Sequence, residues 1–347
     1  MGVEALVNEY FKIDFVVSWV DGQDSNWLKK YNKYSDKDIL DEKNARFRDY
    51  NIFKYWFRAV ENYAPWVNHV YLVTDKQIPK WLDIENKKLT VIDHTQIIDQ
   101  QYLPVFNSNA IELNLYKIPN LTEHFVYFND DMFLNKRVYP SDFFSKKGLP
   151  KDTAGLNAIQ PLYDFDYIHT NNIRIINQHF DKREVMKKQF FKFVNPLNAE
   201  LNVYTILLFF WPKFTRFFDL HYPYSFRKRD MQNVISANIK SYERTMNNRF
   251  RSTSDITIWL VRYYSLVQGE FSVRSPKVGK IYDILNKFSD IVKDIKRQNH
   301  KMIVINDNSE VDDLQFQKLS ENLRQAFQTK LPQKSTFEIR EQSCEED

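Results

Sequence analysis

The sequence predicts an α/β chain built on a mostly parallel sheet, with a largely helical insertion or second lobe. Three observations carry that expectation. Short β-branched and aromatic runs alternate with helically spaced segments. An aspartate follows most of those runs directly. Near residue 160 the pattern changes to predominantly helical spacing. With 347 residues, 43% of them hydrophobic, the chain can bury a sizeable core, and its length suits roughly one to three domains of ~100–200 residues.

Phe11–Val20 (FKIDFVVSWV) reads as a buried strand closed by a turn at Asp21-Gly22. Phe53–Tyr63 has helical spacing and stops before Pro65, as the restriction on residues preceding proline requires. His69–Thr74 and Leu89–Asp93 are further strands, the first followed by Asp75 and the second ending in Asp93. Asn109–Tyr116 reads as helical. Phe125–Phe128 is a fourth strand that runs into Asn129-Asp130-Asp131. Residues 171–260 read as largely helical, with basic clusters at Phe226–Arg229 and Asn248–Ser252. Met302–Asn306 reads as a strand followed by Asp307, and Asp312–Phe327 as a helix. The expected organisation is an α/β region over 1–160, a mainly helical region over 161–290, and a strand–helix segment over 291–347 that returns to the α/β core.

Composition narrows the function. Forty-nine basic against 45 acidic residues leaves +4, too balanced for charge alone to imply nucleic acid. Six glycines form no phosphate loop of the P-loop or dinucleotide type. The single cysteine, Cys344, allows no disulfide within the chain and suits a reducing compartment. MGVEALVNEYFKIDF lacks a basic segment followed by an apolar one, so no secretory signal is expected. The most apolar stretch, Val203–Trp211, stops at Pro212, far short of the ~20 residues that span a bilayer. It reads as core or helix packing, with a shallow membrane or partner contact as the competing reading.

Asp130 and Asp131 sit between apolar runs, where two unpaired carboxylates would be costly to bury. In parallel sheets ligands collect at the carboxyl ends of strands, and Asp21, Asp75, Asp93 and Asp130/Asp131 all fall there. The competing reading makes each a turn former or helix cap. Mg²⁺ takes one or two protein carboxylates plus substrate phosphates, which the Asp pair can supply. Arg174, Arg249 and Arg251 could clamp phosphate oxygens, and His221 could serve as a general base near neutrality. Spacing alone does not establish these roles.

The longer motifs resemble a known family. Ile13–Trp27 (IDFVVSWVDGQDSNW) is similar to the first block of the Stealth family of sugar-phosphate transferases. Arg46–Leu82, Leu103–Leu121 and Phe125–Phe144 are similar to its second. Leu220–Met231 (LHYPYSFRKRDM) and Asn248–Ile256 (NRFRSTSDI) resemble the third, and Met302–Asn308 with Leu331–Glu338 the fourth. The family includes bacterial capsular polysaccharide phosphotransferases and the catalytic part of the lysosomal N-acetylglucosamine-1-phosphotransferase. The absence of the latter's extra domains points to a bacterial capsule or surface-glycan enzyme.

The resemblance implies a Rossmann-like (GT-A-like) nucleotide-sugar region over 1–160, with 161–290 completing the active site. It implies transfer of a sugar-1-phosphate from a UDP-sugar to a hydroxyl of a glycan or sugar acceptor, with UMP leaving and the C1–O bond intact. Asp21 and Gly22 would form the nucleotide-site turn, and Asn107, Asn109 and Glu112 would line the sugar or phosphate pocket. Asp130 and Asp131 would hold Mg²⁺ or Mn²⁺, with Asp131 also counted among the catalytic groups. His221 would deprotonate the acceptor, while Arg174 and Arg251 steady the diphosphate. The extra basic residues Arg227–Arg229 would meet the acceptor or an anionic membrane, against the alternative of a solvated helix face. The enzyme is thus expected in the bacterial cytoplasm, touching the inner membrane peripherally. An ordinary glycosyltransferase, releasing UDP, and a non-catalytic glycan-binding protein are the competing classes.

Overall fold

Ile13–Ser18 (β1) opens a parallel arrangement in the computed structural model, which describes residues 11–35, 48–160, 166–308 and 310–340. Cys344 lies outside the described residues. The chain divides into two compact units. One comprises Phe15–Asp93, Phe128–Val138 and Gly279–Asp347; the other comprises Met1–Asp14, His94–Tyr127 and Tyr139–Val278.

In the first unit β1 pairs parallel with Val70–Thr74 (β2), in register Phe15↔Val70 to Ser18↔Val73. β2 pairs parallel with Leu89–Asp93 (β3), in register Val70↔Leu89 to Thr74↔Asp93. Every residue of β2 is buried, which is why its run is continuously apolar rather than alternating. The helix Phe53–Tyr63 precedes β2 and forms with the bounds its apolar spacing predicts. It buries Trp56 and Phe57 completely, and Trp56 meets Phe128 edge-on at 5.3 Å. Burial of each such ring contributes about 1.5–3 kcal/mol. Arg58 of that helix is buried with its guanidinium forked onto Glu338, both bonds 2.7 Å, so the last described segment is tied to the helix.

A second small sheet belongs to the same unit. Gly279–Asp283 runs parallel to Met302–Asn306, which pairs antiparallel with Met132–Leu134. The helix Asp313–Lys330 starts from a reciprocal cap between Asp312 and Gln315, and its Phe327 packs on Phe133 at 5.0 Å.

The other unit is rich in helices, including Asp166–His179, Lys182–Phe193, Leu201–Phe209, Lys228–Ala237, Ile239–Met246 and Trp259–Gln268. His124–Phe128 (β4) here pairs antiparallel with Tyr224–Arg227, in register Tyr127↔Tyr224 to His124↔Arg227. The expected α/β class holds, with parallel strands in the first unit and a helix-rich second one.

Three local expectations need correction. Within the 171–260 span read as largely helical, His221 precedes a strand: Pro223 ends the turn, Tyr224 and Phe226 are buried, and the helix begins only at Lys228. The Asn109–Tyr116 helix is instead a short helix, Ser108–Glu112, and a single tight turn, Leu115–Lys117. Between them Asn114 is buried and its side chain donates to Ala110 O at 2.8 Å, the local bonding by which asparagine competes with helix continuation. Arg227 is neither an outward contact nor part of a solvated face. It is buried and paired with Asp230 at 2.5 Å and Glu270 at 3.0 Å.

Candidate active site

Asp21 closes the turn after β1. Gln77 clamps that turn by accepting from Asp21 N–H and donating to Asp21 O, both at 2.9 Å, and Asp21 Oδ1 accepts from Gln23 N–H at 2.8 Å. Gly22 lies within the turn, which leads into the helix Ser25–Tyr34 capped by Asp24. Asp49 lies within the electrostatic reach of Asp21. Burial and Asp21 raise its carboxyl above the usual value, against one hydrogen bond from Asn51 N–H.

Asp130 is the most perturbed carboxyl of this group. Its side chain keeps surface open to solvent, yet the protein around it displaces bulk water. That desolvation, then Asp131, then Asp49, push it up to about 8. Both charged neighbours that raise it are carboxylates. Asp131 is anchored through its backbone, its carbonyl accepting from Ile305 N–H at 3.0 Å. Two other aspartates that follow strands are compensated. Asp75 pairs with Lys30, and Asp307 with Arg48 at 3.2 Å and with the Tyr50 hydroxyl.

Among the described residues no three His, Cys, Asp or Glu side chains converge into a self-sufficient metal cage. The adjacent pair instead matches a cation that takes one or two protein carboxylates and completes its shell with phosphate and water. Repulsion between Asp130 and its neighbours is relieved by such a cation, so these residues fit Mg²⁺ or Mn²⁺. In the same unit a cavity of about 300 Å³ is walled by Trp19, Phe53 and Trp81 and lined also by Asp49, Lys54 and Arg324. Trp19 and Phe53 stack at 5.6 Å and 2°.

The helix-rich unit holds the other expected residues. Asn107, Asn109 and Glu112 are buried. Asn107 and Asn109 donate to Asp255 Oδ2 at 2.8 and 3.1 Å, joined by Asn248 to Oδ1 at 2.7 Å and Ser252 N–H to Oδ2 at 3.0 Å. Asp255 is thus a hub for two polar segments. Arg251 is exposed and donates to Ser108 Oγ at 2.6 Å. Asn171 reaches Asp255 O at 2.9 Å, and Arg174 leaves the same helix one turn later, exposed and without an ion pair among the described residues.

His221 adopts a left-handed backbone, φ 38°, which costs a residue with a Cβ roughly 1–2 kcal/mol. Its Nδ1 lies 3.4 Å from the Tyr224 hydroxyl, which accepts from Trp259 Nε1–H at 2.6 Å. Burial, Asp219 and Glu112 keep Tyr224 protonated far above its ordinary range. Behind Trp259, His169 stacks at 4.7 Å and faces Asp219 at 3.3 Å. Burial would raise the Asp219 carboxyl, but His169, Arg262 and Arg216 outweigh it and hold it low. Asp255, Tyr224, Trp259, His169 and Asp219 were not among the sequence candidates. Asp255 stands directly before an apolar run, where an aspartate also suits a cap; the partners of the others are remote in sequence.

Two family models match: Stealth protein CR1, conserved region 1, over residues 11–38, and Stealth protein CR2, conserved region 2, over residues 46–152. These segments contain β1 with its Asp21 turn, and the Asn107–Glu112 and Asp130/Asp131 motifs, respectively. Relatives cover nearly the whole chain. The exopolysaccharide phosphotransferase cps2G of Lactiplantibacillus plantarum is 55% identical, across 94% of this chain and 96% of its own. The receptor polysaccharide phosphotransferase WefC of Streptococcus oralis and the capsular polysaccharide phosphotransferase WcwK of Streptococcus pneumoniae are each 40% identical, across 94% of this chain and 99% of theirs. The chain belongs to the Stealth family.

Proposed function

We propose that this protein is a hexose-1-phosphate transferase of bacterial capsule or exopolysaccharide synthesis. It passes a sugar-1-phosphate from a UDP-sugar to a hydroxyl of a glycan acceptor. The acceptor oxygen bonds to the β-phosphorus, and the bond from that phosphorus to the oxygen bridging the two phosphates breaks. UMP leaves, the acceptor proton passes to a base, and the sugar C1–O bond survives. The observation that carries the reading is the crowding of Asp130 by the carboxylates of Asp131 and Asp49 in a chain similar over its length to named polysaccharide phosphotransferases.

In this reading β1–β3 form a Rossmann-like (GT-A-like) donor fold, with Asp21 and Gly22 at its nucleotide turn. The aromatic cavity of Trp19, Phe53 and Trp81 offers flat walls, and Lys54 and Arg324 offer cations, suited to the nucleotide. Asp130 and Asp131 hold Mg²⁺ or Mn²⁺, which supplies charge neutralisation to the diphosphate. Asn107, Asn109 and Glu112 shape the sugar pocket, and Asp255 holds the two asparagines in place. Arg174 and Arg251 counter charge on the transferring group. His221 takes the acceptor proton, oriented by Tyr224. The reaction takes place in the cytoplasm, where nucleotide sugars are the donors.

Phosphorus NMR of the products tests the proposal. UDP-sugars screened with Mg²⁺ and an acceptor glycan are expected to yield UMP and a phosphodiester. UDP with a glycosidic bond would overturn it in favour of an ordinary glycosyltransferase, and glycan binding without turnover of any UDP-sugar would make the protein a binding module.

A further inference from the structure

Leu201–Phe209 (LNVYTILLF) carries no charged residue, and only Leu201 and Thr205 of it are buried. The Thr205 hydroxyl is used inward, accepting from Leu156 N–H and donating to Leu201 O, each at 3.0 Å. What remains outward is mostly apolar, with Leu207 69% exposed and the following Phe210 86% exposed. The preceding helix, Lys182–Phe193, adds Phe191, 81% exposed. Edge contacts from Phe190 to Phe209 at 5.9 Å and from Phe209 to Phe210 at 5.4 Å make one continuous surface.

This surface is held in shape. Lys182 is buried, and its ammonium donates to Leu208 O at 2.5 Å and Trp211 O at 2.6 Å. It thereby satisfies carbonyls left open at the helix C-terminus, where a cation is also favoured by the helix dipole. Asn195 and Asn202 brace the other end through reciprocal bonds of 3.1 and 2.8 Å. A continuous apolar face of this kind marks a contact surface.

Its fringe says what it contacts. Lys187 and Lys188 are exposed one helical turn before Phe191, and Lys213 is exposed two residues after Trp211. From Asp181 to Lys213 basic residues outnumber acidic ones, which are Asp181, Glu184 and Glu200. Aromatic and aliphatic side chains bordered by lysines complement a lipid surface whose headgroups are anionic. No helix among the described residues is long and apolar enough to cross a membrane, so the contact is shallow. We propose that the paired helices Lys182–Phe193 and Leu201–Phe209 dock this protein on an anionic phospholipid bilayer. The proposal does not rest on the transfer chemistry; of the two expected membrane contacts it favours the apolar stretch around Val203–Trp211 over Arg227–Arg229, where Arg227 is buried.

Sedimentation of the full chain with vesicles tests it. Binding is expected to vesicles of phosphatidylcholine mixed with phosphatidylglycerol, weaker to phosphatidylcholine alone, and weakened by salt. The double variant Leu207→Ser/Phe210→Ser should lose roughly tenfold or more in vesicle affinity, with its melting temperature and UMP release on a soluble acceptor unchanged. Lys187→Glu/Lys188→Glu should remove the preference for phosphatidylglycerol while leaving the fold intact. The proposal is overturned if the wild-type chain stays in the supernatant with phosphatidylglycerol vesicles at low salt, or if both variants bind as it does. It is equally overturned if the chain is a dimer that the Leu207/Phe210 variant converts to monomer, for the face then meets a second copy.

Discussion

Two buried or crowded carboxylate centres in this protein are built in opposite ways. Asp255, in the helix-rich unit, is fully buried and collects Asn107, Asn109, Asn248 and the Ser252 N–H. Asp130, in the unit of parallel strands, faces Asp131 and Asp49. The first arrangement satisfies a charge with donors and so stabilises the loops that bring them. The second sets like charges together, which disfavours the ionised form of Asp130 and suits a ligand that brings positive charge. An aspartate's neighbours, more than its burial, separate a structural role from a binding one.

The largest expected effect tests whether the helix-rich unit contributes chemistry as well as order. His221→Ala should lower turnover about 10²–10⁴-fold, the usual worth of a positioned base, with donor affinity nearly intact by calorimetry. If donor binding falls in proportion to rate, His221 is a structural turn residue.

Next come Asp130→Asn and Asp131→Asn. Each should reduce UMP release on the order of 10²–10³-fold, as loss of charge stabilisation at a transferring group does, without lowering the melting temperature. Near-normal turnover of either variant with Mg²⁺ would remove that residue from the cation site.

Asp255→Asn should behave the other way. Weakening a buried charged acceptor of several bonds costs about 2–3 kcal/mol, read as a lower urea midpoint, while the rate per folded molecule falls less than in Asp130→Asn. Unchanged stability would break the contrast between the two centres.

The smallest effect is a pH slope. A carboxyl raised from 3.8 to about 8 on folding binds its proton more tightly in the native state. Its contribution to stability is therefore present at low pH and lost as pH rises through that window. With chelator present, the melting temperature should decline from acidic pH towards about 8. Asp130→Asn should flatten the decline, and Mg²⁺ should bind more tightly as pH rises, since binding displaces the proton. A flat profile in the wild-type protein would show that Asp130 is not crowded as described.

Local pattern was readable wherever local forces decide. The helix Phe53–Tyr63 and the strands Leu89–Asp93 and Met302–Asn306 form at their expected bounds because apolar spacing, Pro65 and flanking polar residues act within a few positions. Asp130 and Asp131 could be singled out because two adjacent acids between buried runs conflict with burial. Arg227 could not, since the Glu270 that neutralises it lies 43 residues away. Nor could the break at Asn114, which depends on Tyr242 donating to its side chain at 2.7 Å across 128 residues.

By itself the sequence determined the α/β class, the membership carried by its long motifs, and the candidates Asp21, Gly22, Asn107, Asn109, Glu112, Asp130, Asp131, Arg174, His221 and Arg251. Only the tertiary structure decided which carboxylates are compensated, that Asp255 gathers the asparagines, that Tyr224 and Trp259 stand behind His221, and that Leu201–Phe209 turns its apolar side chains to solvent. The reason is physical: strand and helix preference arise within a turn or two of chain, whereas the charge, solvent and hydrogen bonds around a side chain come from residues the fold brings from far along it.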